Sequence, residues 1–364
     1  MITAELHRAI LAAAGELNVS HPGSGQPGSG QPGSGQPGSG QQGADPLLRP
    51  GPEPGSYASS LPFRLGPDPR AQAAALAARL AAEPWIARAE VTGPGFLTVT
   101  VTHDALAGLA VRITEAGPAC ATSDVLRDIP VPVRKPAAEP GWPRAWAALA
   151  AELTVRLAAA AGAPFDPERL AISPSSLPPA LAPVTGPPAS AIPSPAAPPD
   201  QAGPVASAIA YAGADAVRFA LARMPPGGPP PDPRIIARHV LANPAYAVRY
   251  AHAAAAAVLR WAAALGTRPA GFRPRLLAGP EELALLDVLS WLPERVAMAA
   301  RRGRPDEFAG YLEELAAQTI DTISTTGFTK VSDISSERLW LADAARTGLA
   351  ACLGLLGISP PSRL

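Results

Sequence analysis

One stretch decides the fold of the C-terminal half: Asn243-Pro244-Ala245-Tyr246-Ala247-Val248-Arg249-Tyr250-Ala251-His252-Ala253. Its Asn-Pro opening is typical of a helix N-cap followed by the first helical position. In the helix that follows, Tyr246, Arg249 and Tyr250 have the spacing i, i+3, i+4, so they share one face. Aromatic stripes commonly pack inside bundles, but an arginine beside them is costly to bury unpaired. The stripe therefore favours a surface that stacks on unpaired bases and holds phosphates.

The sequence around this stretch is helical almost throughout and rich in alanine. From Val205 to the end, the pattern breaks only at residues 225–232, 266–273 and 303–305, which predicts an all-α bundle of six helices over 205–364. Within it, His252 turns away from the tyrosine face and is predicted to be a structural histidine.

Charge is segregated, although the chain has a formal net charge of zero. Residues 203–304 carry 13 Arg against 6 Asp plus Glu, whereas residues 305–364 carry 4 cations against 8 anions. A basic block beside an acidic one indicates either a face for a polyanion or ordinary solvated helices, and charge alone leaves both open. The candidate phosphate contacts are the arginines at helical positions of the basic block: Arg218, Arg223, Arg238, Arg249 and Arg260.

The N-terminal region begins with a short helix and a repeat. Residues 1–20 are predicted to form an amphipathic helix, with apolar side chains at Leu6, Ile10, Leu11, Ala14 and Leu17. Residues 21–54 contain four copies of Pro-Gly-Ser-Gly-Gln. Because the repeat has no hydrophobic residue to bury, 21–54 is predicted to be a disordered insertion.

Residues 55–115 are predicted to form an α+β domain, a short antiparallel sheet with helices. Asp68 before Pro69 is a plausible N-cap. Residues 85–91 and 96–102 read as two strands joined by Thr92-Gly93-Pro94-Gly95, and the second strand alternates apolar residues with threonine. Phe96 follows this turn, where its ring either packs in the core or lies exposed for stacking.

Residues 116–204 are predicted to be a helix and a linker. The helix spans 141–162, and residues 173–204 hold 11 prolines in 32 positions. Because proline removes a backbone donor and blocks helix propagation, this segment is expected to be a stiff Pro-rich linker between the two domains.

Composition sets the expected compartment. Cys120 and Cys352 match no metal or redox spacing, which favours a reduced cytoplasmic protein. Charged residues interrupt the first 17 positions, so no secretory signal is expected there. No charge-free apolar stretch reaches 18 residues, and no membrane partner is predicted.

Both ends of the chain resemble arginyl-tRNA synthetases. The first domain resembles their N-terminal tRNA-binding domain at Gly55-Ser56-Tyr57-Ala58-Ser59-Ser60-Leu61 and at Ala87-Arg88-Ala89-Glu90-Val91-Thr92-Gly93-Pro94-Gly95-Phe96-Leu97-Thr98. The second resembles their DALR anticodon-binding domain in the opening stretch and in three further motifs: Gly213-Ala214-Asp215-Ala216-Val217-Arg218-Phe219, Ala342-Asp343-Ala344-Ala345-Arg346 and Leu355-Leu356-Gly357-Ile358-Ser359-Pro360-Pro361. The resemblance indicates an actinobacterial-type paralogue without the class I catalytic domain.

The resemblance also implies roles for individual residues. Phe96 matches an aromatic that contacts the tRNA D-loop, and Tyr250 matches a tyrosine that stacks in the anticodon loop. The chain departs from the family at Ala247, where an aromatic is usual, and losing it would weaken loop binding. It also departs at Ala254 and Leu364, where arginine and methionine are usual.

The residues of class I synthetase chemistry are missing. No two of the five histidines are three residues apart, as a His-x-Gly-His motif requires, and neither Lys135 nor Lys330 follows a glycine. Only about 100 residues separate Thr102 from Val205, too few for a nucleotide-binding fold together with the linker. No catalytic residue and no cofactor are therefore predicted.

Three functions remain open on the sequence. The leading hypothesis is a tRNA-binding protein, with tRNA-Arg as one candidate partner, that has no aminoacylation activity of its own. The second is an ATP-dependent arginine–tRNA ligase that acts alone or with a separate catalytic subunit. The third is a protein–protein interaction module whose RNA affinity has been lost.

Overall fold

The computed structural model describes residues 2–19, 48–131, 133, 139–164, 203–326 and 335–364. These form two compact units, Ile2–Leu106 and Ala107–Leu364. The Pro-Gly-Ser-Gly-Gln repeat, most of the Pro-rich linker, Lys135 and Lys330 lie outside the described residues.

The N-terminal unit is built on a four-stranded antiparallel sheet. Its strands are β1 (Leu48–Pro50), β2 (Ser56–Ser59), β3 (Ile86–Thr92) and β4 (Phe96–Val101), in the order β1-β2-β4-β3. The predicted pair corresponds to β3 and β4, with Thr92 opposite Phe96. On β4, Leu97, Val99 and Val101 are buried, as their alternation with threonine predicted. The sheet is thus an N-terminal α+β arrangement of the predicted class.

The prediction that all of 21–54 is disordered was wrong at its end. Leu48–Pro50 forms β1, which pairs with β2 in the register Leu48 opposite Ser59. Leu48 is buried. A three-residue strand is too short for a periodic signal, and its stability comes from its partner strand rather than from its own sequence.

Four helices accompany the sheet: α1 (Ile2–Val19), α2 (Pro62–Leu65), α3 (Pro69–Leu80) and α4 (His103–Ala107). On α1, Leu6 and Ile10 are buried as predicted, but Leu11 is 45% exposed and does not belong to the apolar face. Asp68 caps α3, because its side chain accepts a hydrogen bond from the Ala71 amide at 3.1 Å.

The β3–β4 turn is fixed against the start of α3 by a glycine. Gly95 has φ +137°, and a Cβ there would lie 2.7 Å from Pro69 Cβ. Both the backbone angle and the close approach require glycine. The turn therefore places Phe96, the first residue of β4, beside α3 and α2.

The C-terminal unit is helical. It contains α5 (Leu109–Ala116), a 3-10 turn (Gly117–Ala121), α6 (Trp142–Ala160), α7 (Pro204–Ala212), α8 (Ala214–Ala222), α9 (Pro233–Ile236), α10 (Pro244–Ala264), a 3-10 turn (Pro274–Leu276), α11 (Pro280–Ser290), α12 (Leu292–Arg302), α13 (Pro305–Thr325) and α14 (Ser336–Leu355). From Pro204 onward, the described residues form eight α-helices rather than the predicted six. Pro293 separates α11 from α12, and a short α9 follows the Asp232 cap.

The tyrosine-bearing helix α10 lies at the centre of this unit, against α13, α14 and α8. Its inner face supplies Val258 and Ala262, which pack with Leu339 and Ala342 of α14. Alanine at these contacts lets the two helix axes approach closely. The opposite side of α10 carries exposed side chains.

Two helices that the sequence analysis assigned to other regions of the chain are packed in this unit. α5, predicted to belong to the domain ending at 115, packs against α14 through a buried side such as Ile113. α6, predicted as part of the linker region, packs against α12 and α8, and Trp146 Nε1 donates to Met224 O at 3.0 Å. The compact units consequently divide at Ala107 rather than after 115.

Candidate nucleic-acid interface

Three aromatic rings form a stacked column at the N-terminal end of α10. The Tyr246 and Tyr250 rings have centroids 5.9 Å apart and an interplanar angle of 26°. His239, in the loop before α10, stacks on Tyr246 with a centroid distance of 5.4 Å and an angle of 13°. His239 is exposed and Tyr250 is 37% exposed. The column therefore has ring surface open to solvent, where an unpaired base can stack.

Asn243 places the histidine in this column. Its Oδ1 accepts from the Ala245 amide, which caps α10 as the sequence predicted. Its Nδ2 donates to the carbonyl oxygens of Ile236 and Arg238, at 2.8 and 2.7 Å. The same side chain thus starts the helix and folds the preceding loop back to its first turn, which brings His239 onto Tyr246.

Arg238 is the predicted cation best placed beside the column. It immediately precedes His239 and is exposed. Within the part of the chain that the structure describes, no carboxylate lies within ion-pair distance of its guanidinium. Its donors are therefore available to a phosphate.

Arg249 is half-buried rather than fully exposed, and it faces Asp215 of α8. Burial raises the pKa of the Asp215 carboxyl above its ordinary value, and the charges of Arg249 and Arg218 and the Ser359 amide counteract the rise. Arg249 Nε is buried and has no hydrogen-bond partner among the described residues. Part of this guanidinium is therefore committed to the interior, and its outer edge alone can reach a ligand.

The prediction that Arg218 contacts phosphate is contradicted by its burial. Its side chain is 3% exposed, and its Nη2 pairs with Glu152 of α6 at 2.5 Å. Its Nε donates to the carbonyl oxygen of Leu356 after α14. Gly357 has φ +69°, and a Cβ there would lie 2.7 Å from the Arg218 guanidinium. Arg218 therefore clamps α6, α8 and the C-terminal segment together.

Arg223 is also paired inside the protein. Its Nε and Nη2 donate to the two carboxylate oxygens of Glu313 on α13, at 2.7 and 3.3 Å. The Arg223 side chain is 47% exposed, so this pair lies at the surface and is weakened by solvent. Arg223 can be reached by RNA only in competition with Glu313.

Arg260 and His252 hold the C-terminal segment along α10. Arg260 Nη1 donates to Ser362 O at 2.6 Å, and His252 Nδ1 lies 2.8 Å from Pro361 O. Burial lowers the pKa of His252, while the Pro361 hydrogen bond counteracts this effect. His252 is buried, in keeping with its predicted structural role, and Arg260 is exposed with donors left over.

Phe96 belongs to the N-terminal unit, whereas the arginine and tyrosine candidates belong to the C-terminal unit. Its ring is half-buried against Phe63, with centroids 4.9 Å apart and an angle of 59°. Phe63 is 41% exposed. The pair forms a small aromatic surface beside the glycine turn.

Metal-ligating side chains and cysteines are the other chemically active groups of the described residues. These residues contain no cluster of three His, Cys, Asp or Glu side chains able to hold a metal ion. Burial raises the pKa of Cys120 to about 12, and that of Cys352 well above its ordinary value, so neither is a thiolate at neutral pH. No single described helix has the length and apolarity to cross a bilayer; α7 and α8 would qualify together, but they are bent by 119°.

Comparison with known proteins identifies relatives of the C-terminal part of the chain. Residues 248–364 match the model of the DALR anticodon binding domain. The chain is 39% identical over 158 residues to the arginine–tRNA ligase of Clavibacter sepedonicus, and 38% identical over 162 residues to that of Paenarthrobacter aurescens. These matches cover 42% and 43% of this chain but only 28% and 30% of the ligases, so the chain spans less than a third of their length.

A solved structure, Thermus thermophilus arginyl-tRNA synthetase, is similar with a TM-score of 0.60 at 15% identity, a comparison that covers 100% of each chain. At that identity the likeness concerns the fold alone. The C-terminal part of this chain, residues 248–364, is thus a DALR anticodon-binding domain, and its homologues are arginyl-tRNA synthetases.

Proposed function

We propose that this chain binds tRNA through the column formed by His239, Tyr246 and Tyr250, without charging the tRNA itself. The stacked rings carry this proposal, because they offer open π-surface beside Arg238, which has no carboxylate partner among the described residues. Tyr250 lies within the residues 248–364 that match the DALR anticodon binding domain, and the other two rings directly precede this match. Unpaired bases of a loop would stack on Tyr250 and His239, and Arg238 would hold an adjacent phosphate. The cytoplasm is the expected compartment, and tRNA-Arg is the first tRNA to test.

Fewer cations are available than the charge of the basic block indicates. Among the described residues of 203–304, four exposed arginines have no carboxylate partner: Arg238, Arg260, Arg268 and Arg275. With four phosphates neutralised on a single strand, log K should fall with log salt at a slope of about −3. Stacking must then supply much of the affinity.

An electrophoretic shift with total tRNA over a salt series tests the proposal. Tyr250→Ala should weaken binding by about 1–3 kcal/mol, and Arg238→Ala should reduce the salt slope by about 1. Tyr211→Ala is the matched control, since Tyr211 is 65% exposed on α7, outside the column. A shift that Tyr250→Ala and Arg238→Ala both leave unchanged would contradict the proposed site.

The proposal of no aminoacylation rests on the residues between Thr102 and Val205. They lack the paired histidines and the glycine–lysine motifs of nucleotide activation. No cofactor is proposed, and ATP would enter only if the chain acted as an arginine–tRNA ligase, alone or with a separate catalytic subunit. Incubation of the purified chain with ATP, arginine and tRNA, followed by measurement of arginyl-tRNA, decides between these functions.

A protein-binding role is the second candidate, favoured by the internal pairing of Arg218 and Arg223. If the bundle binds a protein partner instead of RNA, Arg238→Glu should leave the partner bound while tRNA produces no shift with the wild-type chain. Pull-down of the protein partner by the wild-type chain and by Arg238→Glu measures whether the substitution changes partner binding.

A further inference from the structure

An exposed tryptophan lies on α10 well beyond the aromatic column. Trp261 is 60% exposed, and Leu265, one turn further on, is 52% exposed. An indole is rarely left this open on a bundle surface, because burying it would stabilise the fold by several kcal/mol. Neither the helix packing nor the column accounts for its exposure.

Helix geometry places Trp261 on the same face as Tyr250. The two residues are eleven positions apart, which is three turns plus about 20° and a rise of roughly 16 Å. Ala254 and Ala257 lie between them on this side, and both are partly exposed. The solvent side of α10 is therefore one stripe, with an aromatic ring at each end and a floor of small side chains.

The same eleven-residue interval repeats an arginine beside each ring. Arg249 precedes Tyr250, and Arg260 precedes Trp261. Around them, residues 233–280 contain seven arginines and no aspartate or glutamate. Arg268 and Arg275, in the segment that leaves the C-terminal end of α10, are exposed and have no carboxylate partner among the described residues. A polyanion is the partner that fits this charge.

We propose that Trp261 is a second base-stacking platform, and that the stripe from Tyr246 to Trp261 is one continuous track for an unpaired RNA strand. The inference rests on the proposed RNA binding and specifies its ligand as a class, unpaired single strands of RNA. At about 3.4 Å per stacked nucleotide, roughly five nucleotides span the distance from Tyr250 to Trp261. The strand lies over the alanine floor, and its phosphates face Arg260 and Arg268.

Cations near a helix C-terminus also stabilise the helix, so arginine variants alone would not separate the two roles. Trp261 variants do separate them, because an exposed indole contributes little to folding. The test measures the affinity of the full chain for a nine-nucleotide oligoadenylate and for total tRNA. The chains compared are wild type, Trp261→Ala, Trp261→Phe, Tyr250→Ala and the control Tyr211→Ala.

Trp261→Ala should bind the nine-nucleotide strand about 5- to 150-fold more weakly, the effect of removing one stacked base. Trp261→Phe should recover most of this loss, since a benzene ring still stacks, and Tyr211→Ala should match wild type. For wild type, extending the strand from three to nine nucleotides should raise affinity much more than for Trp261→Ala. Circular dichroism of each variant confirms an intact fold.

Affinity of Trp261→Ala within twofold of wild type, while Tyr250→Ala binds weakly, would overturn this inference and leave the proposed function standing. The inference would also be overturned if Trp261→Ala kept its RNA affinity but no longer sedimented with anionic vesicles, because the tryptophan would then serve a lipid surface. Absence of any RNA binding by the wild-type chain would instead refute the proposed function.

Discussion

Replacing Arg218 with methionine distinguishes two roles for this residue: an internal contact that holds helices together, and a contact with RNA. From α8, the guanidinium reaches the Glu152 carboxylate on α6 and the Leu356 carbonyl after α14. Methionine keeps much of the side-chain length and removes all the donors. The substitution leaves a carboxylate and a carbonyl oxygen inside the unit without their strongest partner.

The expected loss follows from what remains around these acceptors. Breaking a buried ion pair by removing one partner costs about 3–5 kcal/mol. Arg156 Nη1 stays 3.5 Å from Glu152 Oε1 and partly compensates the carboxylate, which favours the lower part of that range. The Leu356 carbonyl then adds a smaller penalty for an unsatisfied buried acceptor. We expect Arg218→Met to lower the free energy of unfolding of the C-terminal unit by about 3–4 kcal/mol.

Urea unfolding followed by tryptophan fluorescence measures this loss, since five of the six tryptophans lie after Ala107. Arg223→Met is the matched control. It breaks a pair whose arginine is 47% exposed, and it should cost less than about 1 kcal/mol. The double variant Glu152→Met/Arg218→Met should recover part of the loss, because the Glu152 carboxylate is no longer left without Arg218. Recovery should be incomplete, because Arg156 then loses its own partner, Glu152.

At a temperature where Arg218→Met remains folded, its tRNA affinity should match that of the wild-type chain. A variant that is destabilised by less than about 1 kcal/mol and also binds tRNA tenfold more weakly would refute the clamp. Arg218 would then be the phosphate contact that its sequence position suggested.

Three further changes test other parts of the structure. Gly95→Ala should destabilise the N-terminal unit by about 2–3 kcal/mol, because it strains φ and places a methyl group against Pro69, and hydrogen exchange of β3 and β4 measures the effect. Gly15→Ala is the control without steric strain: it has open space around it and, inside α1, should stabilise the helix by about 0.5–1 kcal/mol. Burial lowers the pKa of His252 from 6.5, so the unfolded chain takes up this proton first as the pH falls. Stability should therefore decrease below about pH 6.5. His252→Gln should remove that part of the pH dependence in urea titrations, and an unchanged slope would show that another group is responsible. Burial raises the pKa of Cys120 to about 12, so its thiol should react with iodoacetamide at pH 7.5 only after unfolding, as mass spectrometry would show.

Local sequence signals predicted the elements that hold the site. The Asn243 cap, the shared face of Tyr246 and Tyr250, and the β3–β4 hairpin all follow from neighbouring residues. Each depends on interactions within about fifteen positions, which periodicity and capping preferences describe well. These signals located the start of α10 and its aromatic face.

Features that depend on distant partners could not be predicted in the same way. The helical pattern around Arg218 predicted an exposed cation. Its environment is set instead by Glu152, which lies 66 residues earlier in the sequence, before the Pro-rich segment. His239 belongs to a loop without periodicity, and it joins the column because the Asn243 amide bonds two carbonyl groups of that loop. The helical pattern therefore led to a predicted phosphate contact, Arg218, that is buried. The same pattern gave no signal for His239, whose ring is exposed.

The chemistry of the column limits how such a surface can choose its RNA. Stacking is sequence-tolerant, because every base has a π-face. Reading an adenine edge by paired hydrogen bonds requires a free amide, and the Asn243 amide beside the column already uses its oxygen for Ala245 and its nitrogen for Ile236 and Arg238. Asn243 is therefore unable to discriminate adenine by the usual paired hydrogen bonds. At the proposed site, direct base reading is left to the Arg238 guanidinium, which pairs best with guanine, and the remaining selectivity comes from the shape in which an RNA presents unpaired bases. We therefore expect tRNAs with similarly shaped loops to compete for the proposed site whatever their amino acid.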